Sequence, residues 1–135
     1  MDLNFIAASG IVQVADMSTA GAVAALFLAF MIGHALADFP LQGSFLAIGK
    51  ERYGDLEKLT GTKWPRGMWA YCLTMHSLIH AGAVWLVCGC IWFALAEFVL
   101  HWLIDLAKSS RLTNFYIDQV LHIVCKIAYA VILMA

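Results

Sequence analysis

The sequence predicts an all-α fold, a polytopic membrane protein whose four transmembrane helices form one bundle. Three observations predict it. Hydrophobic residues make up 63% of the 135 residues and charged residues 13%, against roughly 45–50% and ~25% in soluble domains. The apolar residues fall into stretches long enough to cross a bilayer core, which takes about 20 residues of helix. Within those stretches the ionisable residues recur four apart, so each helix carries a single polar stripe. A water-soluble domain of this size would expose its apolar excess and aggregate, which excludes a soluble enzyme and a disordered chain. A net charge of −1 excludes a nucleic-acid-binding module.

The elements follow in order, as one membrane domain over residues 1–135. Residues 1–19 mix Asp2, Asn4, Gln13, Asp16 and Ser18 with apolar positions and lack a basic leader, so they do not read as a cleavable signal peptide. Residues 20–39 form the first span, stopped by Pro40. Residues 40–67 form a polar loop broken by glycines and Pro65, its part from Leu41 to Lys50 apolar enough to lie in the interface. Residues 68–107 carry His76, His80, Glu97, His101 and Asp105 as their ionisable groups. As one helix they would reach about 60 Å, twice the bilayer core, so they form a hairpin turning at Cys88-Gly89-Cys90. Its arms are spans two and three, about 68–88 and 91–108. After the break at Lys108 to Asn114, residues 115–134 form span four. Cys72, Cys88, Cys90 and Cys125 lie in apolar runs, where a thiol behaves as a small hydrophobe. No Cys-x2-Cys pair marks a thiolate zinc site, and the one-residue spacer of Cys88 and Cys90 is poor geometry for a disulfide.

Basic residues orient the bundle. Lys50, Arg52, Lys58, Lys63 and Arg66 fall in the first loop and Lys108 and Arg111 in the third connection, while the tail, the Gly89 turn and the C-terminus have none. Four spans put both basic segments on one side, the cytoplasmic one, with both termini outside. The tryptophans and tyrosines near that side, such as Trp64, Trp69, Trp102 and Tyr71, form an interfacial belt.

Asp38, Glu97, Asp105, Asp118 and all five histidines lie within the spans, where ionisable groups are costly and mark function. The stripes are His34 and Asp38; Cys72, His76 and His80; Glu97, His101, Asp105 and Lys108; Asp118, His122 and Lys126. At 1.5 Å per residue His34, His76, His101 and His122 share one depth, roughly 7–10 Å from the cytoplasmic ends of their helices. Asp38, Asp105 and Asp118 form a shallower layer; His80, Glu97 and Lys126 form a deeper one. Histidines in one plane with carboxylates above and below suit a divalent metal, with the di-metal carboxylate bundles as a precedent for two ions. A His–Asp hydrogen-bond network that only joins the helices uses the same residues. A haem pocket would not gather three carboxylates beside its ligands, and a proton or ion pathway lacks ionisable groups in the outer half of the spans.

The segments His34-Ala-Leu-Ala-Asp38-Phe39-Pro-Leu41-Gln42, Lys50, His76-Ser-Leu-Ile-His80, His101-Trp-Leu-Ile-Asp105-Leu-Ala-Lys108 and Asp118-Gln119-Val-Leu-His122 resemble the pattern of a family of small bacterial and phage membrane proteins known as a domain of unknown function. The resemblance runs over about residues 30 to 126 and implies a four-helix protein of the bacterial inner membrane. His76-Ser77 and His101-x3-Asp105 also resemble inner-membrane proteins of the metal-dependent hydrolase type, a short likeness at the level of fold analogy.

The expectation for function combines these strands. His34, Asp38, His76, His80, His101, Asp105, Asp118 and His122 are the candidate metal ligands, with zinc first and iron or manganese second. Glu97 is the candidate general base if the chemistry is hydrolysis. Gln42, Lys50 and Lys108 stand where an anionic lipid headgroup or phosphate ester could be held. The alternative is a non-catalytic metal-binding or structural membrane protein, a subunit of a larger complex. The expected partners are the lipid bilayer and, given the apolar outer faces, further copies of the chain or a larger membrane complex.

Overall fold

A computed structural model describes residues 10–135 of the chain; the reading of the first nine residues lies outside the described ones. The described residues hold six helices and no strand. Four are long: α1 (Thr19–Asp38), α4 (Met68–Cys88), α5 (Ile91–Ser109) and α6 (Phe115–Leu133). Two are short and lie in the loop expected over 40–67: α2 (Gly43–Gly49) and α3 (Leu56–Thr60).

Local chemistry sets the ends of the long helices. Ser18 caps α1, its Oγ accepting from the Gly21 N–H at 3.3 Å. At the other end Pro40 has no N–H to offer the Leu36 carbonyl, which accepts instead from the Leu41 N–H at 3.1 Å. Gly89 ends α4 in the left-handed conformation at φ 68°, its N–H donating to the Trp85 carbonyl, a backbone that glycine adopts without steric cost. The Cys88 thiol donates to the Val84 carbonyl at 3.2 Å, and the Cys90 N–H donates back to Cys88 Sγ at 3.4 Å. Asn114 caps α6 through its Oδ1, which accepts from the Ile117 N–H at 3.0 Å.

The long helices pack in a ring, α1 on α4, α4 on α5, α5 on α6, and α6 back on α1. Their common interior has two halves. Toward the Gly89 turn it is apolar, built from Ala22, Leu26, Phe30, Val84, Tyr129 and Leu133. Val14, from the segment before α1, plugs that end; the same segment donates from Ile11 N–H to the Leu86 carbonyl at 2.9 Å. Toward the loops the interior is polar. The outer faces keep large apolar residues exposed, among them Leu28, Trp85, Leu95 and Val124.

Among the described residues three helices have the length and composition to cross a membrane: α1, α4 and α6. The sequence expectation was four. Helix α5 has 19 residues, as many as α6, but carries Glu97, Asp105 and Lys108, which lowers its standing as a free-standing span. All three turn toward the bundle interior, Glu97 and Asp105 almost wholly buried there.

Helix α2 rests on α4. The seat is close, since a Cβ on Gly49 would stand 2.7 Å from Cys72 Sγ. The chain turns back after α2 at Gly54, where a Cβ would meet the Ile48 carbonyl oxygen at 2.1 Å. Helix α2 thus sits across the loop end of the ring and brings Lys50 to it.

Candidate metal centre

Each long helix turns its stripe inward because four-residue steps keep side chains on one face. Helix α1 contributes His34 and Asp38, α4 contributes His76 and His80, α5 contributes Glu97, His101 and Asp105, and α6 contributes Asp118, His122 and Lys126. The five imidazoles touch. His80 and His101 stack at 3.6 Å between ring centroids, and His101 and His122 at 4.2 Å. His34 lies 4.7 Å from His80 and 5.1 Å from His122, and His76 lies 5.0 Å from His101.

Carboxylates bracket the rings. Asp38 Oδ1 lies 3.2 Å from His80 Nε2 and 3.4 Å from His76 Nε2. Its Oδ2 is 3.2 Å from His34 Nε2, a contact without hydrogen-bond alignment. Asp105 Oδ1 faces His122 Nε2 at 3.3 Å, and its Oδ2 accepts from Lys50 Nζ at 2.7 Å. Asp118 Oδ2 accepts from Lys108 Nζ at 3.4 Å and from Gln119 Nε2 at 3.1 Å. On the far side of the rings Glu97 Oε1 meets His101 Nδ1 at 3.2 Å and also accepts from Lys126 Nζ.

Three overlapping groups have the residue types and closeness to hold a metal ion: His34, His80, Glu97 and His101; Asp38, His76, His80 and His101; His101, Asp105 and His122. In each, one ligand atom per residue lies within 4.8 Å of the others, and His101 belongs to all three. The ring nitrogens are only partly used. His34 Nδ1 and Nε2, His76 Nδ1, His80 Nδ1 and His101 Nε2 are buried without a hydrogen-bond partner. A buried polar atom left unpaired costs about 1–3 kcal/mol, so unpaired nitrogens on four neighbouring histidines, one ligand atom from each, fit a cation better than a finished hydrogen-bond network. The donor set, imidazole with carboxylate, suits zinc, iron or manganese.

All eight candidate ligands from the sequence therefore lie in one cluster, and Glu97 lies in it with them. Gln42, Lys50 and Lys108 border the cluster at its mouth. There, between α2 and the loop ends of α1, α5 and α6, is a pocket of about 220 Å³ lined by these three with Asp38, Asp105 and Asp118. Gln42 is turned toward the chain, its Nε2 donating to the Asp38 carbonyl at 3.2 Å. Lys50 goes further inward than a loop residue was expected to. It is 6% exposed, and Nζ reaches His76 Nε2 at 2.8 Å as well as Asp105. Sequence periodicity could not find this contact, because α2 is set by tertiary packing of Gly49 on Cys72. The one local signal was a lone lysine straight after the apolar run Phe45 to Gly49.

Residues 26–135 match the sequence pattern of a family described as protein of unknown function (DUF3307). Neither the curated proteins nor the solved structures offer a match.

Proposed function

The chain belongs to this family of unknown function, so activity has to be argued from the site, and we propose a four-span membrane protein that binds a divalent metal in its polar half. One observation carries this reading: four histidines and three carboxylates (Asp38, Glu97 and Asp105) from four helices gather around His101 in three overlapping groups, with buried ring nitrogens left unpaired. Zinc is the first candidate because a set of three histidines and one carboxylate, as in Asp38, His76, His80 and His101, is a common zinc environment without redox demands. Iron and manganese follow.

Helix α5 is the fourth span in this reading. Its charges face partners inside the ring rather than lipid, which is the arrangement that makes intramembrane charge tolerable. The basic residues of the two loops lie at the same end, and by the positive-inside rule that end is cytoplasmic. The outer faces fit lipid first and further copies of the chain second.

The mouth pocket supports an enzyme of hydrolytic type acting on an anionic ester at the membrane surface. Lys108, Lys50 and Gln42 are the donors that could turn to an anion there, each now engaged by a group of the protein. Glu51 and the three aspartates line the same pocket, the aspartates leading from it to the histidines. A bound metal would supply Lewis-acid polarisation of a carbonyl or phosphoryl group. Glu97 suits a positioning role better than the general-base role: it does not line the pocket, and its Oε1 holds His101 by Nδ1. That leaves His101 Nε2 as the ligand atom, the usual carboxylate–histidine–metal order.

A structural network is the second reading, favoured by the pairing of each buried carboxylate with a lysine or histidine. An ion pathway has less support, since the half of the interior near Gly89 is apolar. Elemental analysis decides between the first two. The full chain purified in mild detergent without chelators should carry stoichiometric metal, and the His76→Ala, His101→Ala double variant should lose it. A protein that neither carries metal nor takes it up sinks the metal reading and the hydrolase with it.

A further inference from the structure

Lys50 is the one cation in the cluster that no membrane helix supplies. It follows α2, its side chain is 7% exposed, and its ammonium is held by His76 Nε2 at 2.8 Å and Asp105 Oδ2 at 2.7 Å. His76 belongs to the candidate group with Asp38, His80 and His101, and Asp105 to the neighbouring group with His101 and His122, so the ammonium spans two groups that meet at His101. An imidazole nitrogen and a carboxylate oxygen are the donors a divalent ion would take. We propose that Lys50 is a built-in stand-in for the metal: the ion and the ammonium exchange for each other, and the displaced ammonium turns outward into the mouth pocket. The inference rests on the metal reading above and adds how that site is filled.

Charge favours exchange over simple addition. With neutral imidazoles, the four acids in direct contact with a histidine or lysine of the cluster, Asp38, Glu97, Asp105 and Asp118, oppose Lys50, Lys108 and Lys126. This leaves the inner set with one net negative charge, Glu51 lining the mouth pocket outside it. A divalent ion added beside Lys50 would reverse that to one net positive charge. The same ion taken in as Lys50 leaves makes the cluster neutral. In a poorly hydrated interior the neutral arrangement is preferred.

The carrier can make the move. Lys50 has a flexible four-carbon stem and lines the pocket it would enter, beside Lys108 and Gln42. Helix α2 is joined to α1 through Gly43, at φ 59° with open space around its Cβ position. The exchange also gives the pocket its order of events. The second ammonium becomes available to an anion once the metal is seated, so metal and anion binding reinforce each other, each by the same factor.

The test is a zinc(II) titration against a competing chelator, using the full chain in detergent micelles, for the unaltered protein and Lys50→Met. The variant should bind zinc at least about tenfold more tightly, the scale of one charge-assisted hydrogen bond no longer to be broken. Equal or weaker binding by the variant overturns the exchange while leaving the metal reading in place. No zinc bound by either protein overturns both. A second measurement uses the unaltered protein alone, and so decides the matter even if the variant does not fold. Lys50 should resist an amine-reactive acylating reagent without zinc and become modified with zinc, as read by peptide mass spectrometry. Equal protection in both states overturns the exchange.

Discussion

Glu97 and Lys126 form the deepest charged pair, both 1% exposed, on α5 and α6. Removing one member of a buried pair strands the other and costs about 3–5 kcal/mol, whereas replacing both costs much less. Lys126→Met should therefore lower the thermal midpoint of the purified protein more than the double variant Glu97→Gln, Lys126→Met does. Equal or additive losses would mean that the two side chains do not depend on each other. The i,i+4 stripes made this layer legible from the sequence, since Glu97 and His101 on one helix and His122 and Lys126 on another fall at matching depths. Which acid takes which base was not legible. Asp105 serves Lys50, His122 and Lys108 together, an outcome of how the helices rotate in the ring.

At the scale of elements, the breakers placed the long helices within a residue or so: Pro40, Gly67, Gly89 and Asn114 stand at the ends found. The loop was another matter. Helices α2 and α3 are too short to hold themselves together in water and owe their place to contact. Gly54 is the tightest of these contacts, its Cβ position 2.1 Å from a backbone oxygen that cannot turn away. Gly54→Ala should loosen the turn after α2, at a cost of about 1–3 kcal/mol, and speed limited trypsin cleavage in the segment of Lys50 and Arg52. Gly67→Ala is the comparison, with φ −85° and no atom within 4 Å of the added Cβ. It should leave the cleavage rate unchanged.

For the whole molecule, composition announced a membrane protein, and three helices carry that signature in their own right. The proposed fourth, α5, was read from the apolar run over 68–107, and Glu97, Asp105 and Lys108 keep it from qualifying as a span in its own right. The proposed topology rests on α5 crossing as well. A periplasm-active reporter fused after Ala135 should be active, and the same reporter inserted at Gly61 silent. A silent fusion at Ala135 would refute either the four spans or their orientation.

The hairpin at Gly89 bears on how such a chain enters a bilayer during synthesis. An acidic or basic side chain near the middle of an inserting helix costs up to about 3 kcal/mol, and α5 emerges carrying Glu97 before its counter-ion exists. Lys126 lies 29 residues further along the chain. A tight turn lets α4 and α5 enter as one unit, with the histidines of α4 already alongside. Until α6 is made, the Glu97 carboxylate has the His101 imidazole of its own helix at 3.2 Å but not the Lys126 ammonium. If the four helices cross the bilayer as proposed, α6 is the element that completes the charge pairing of α5.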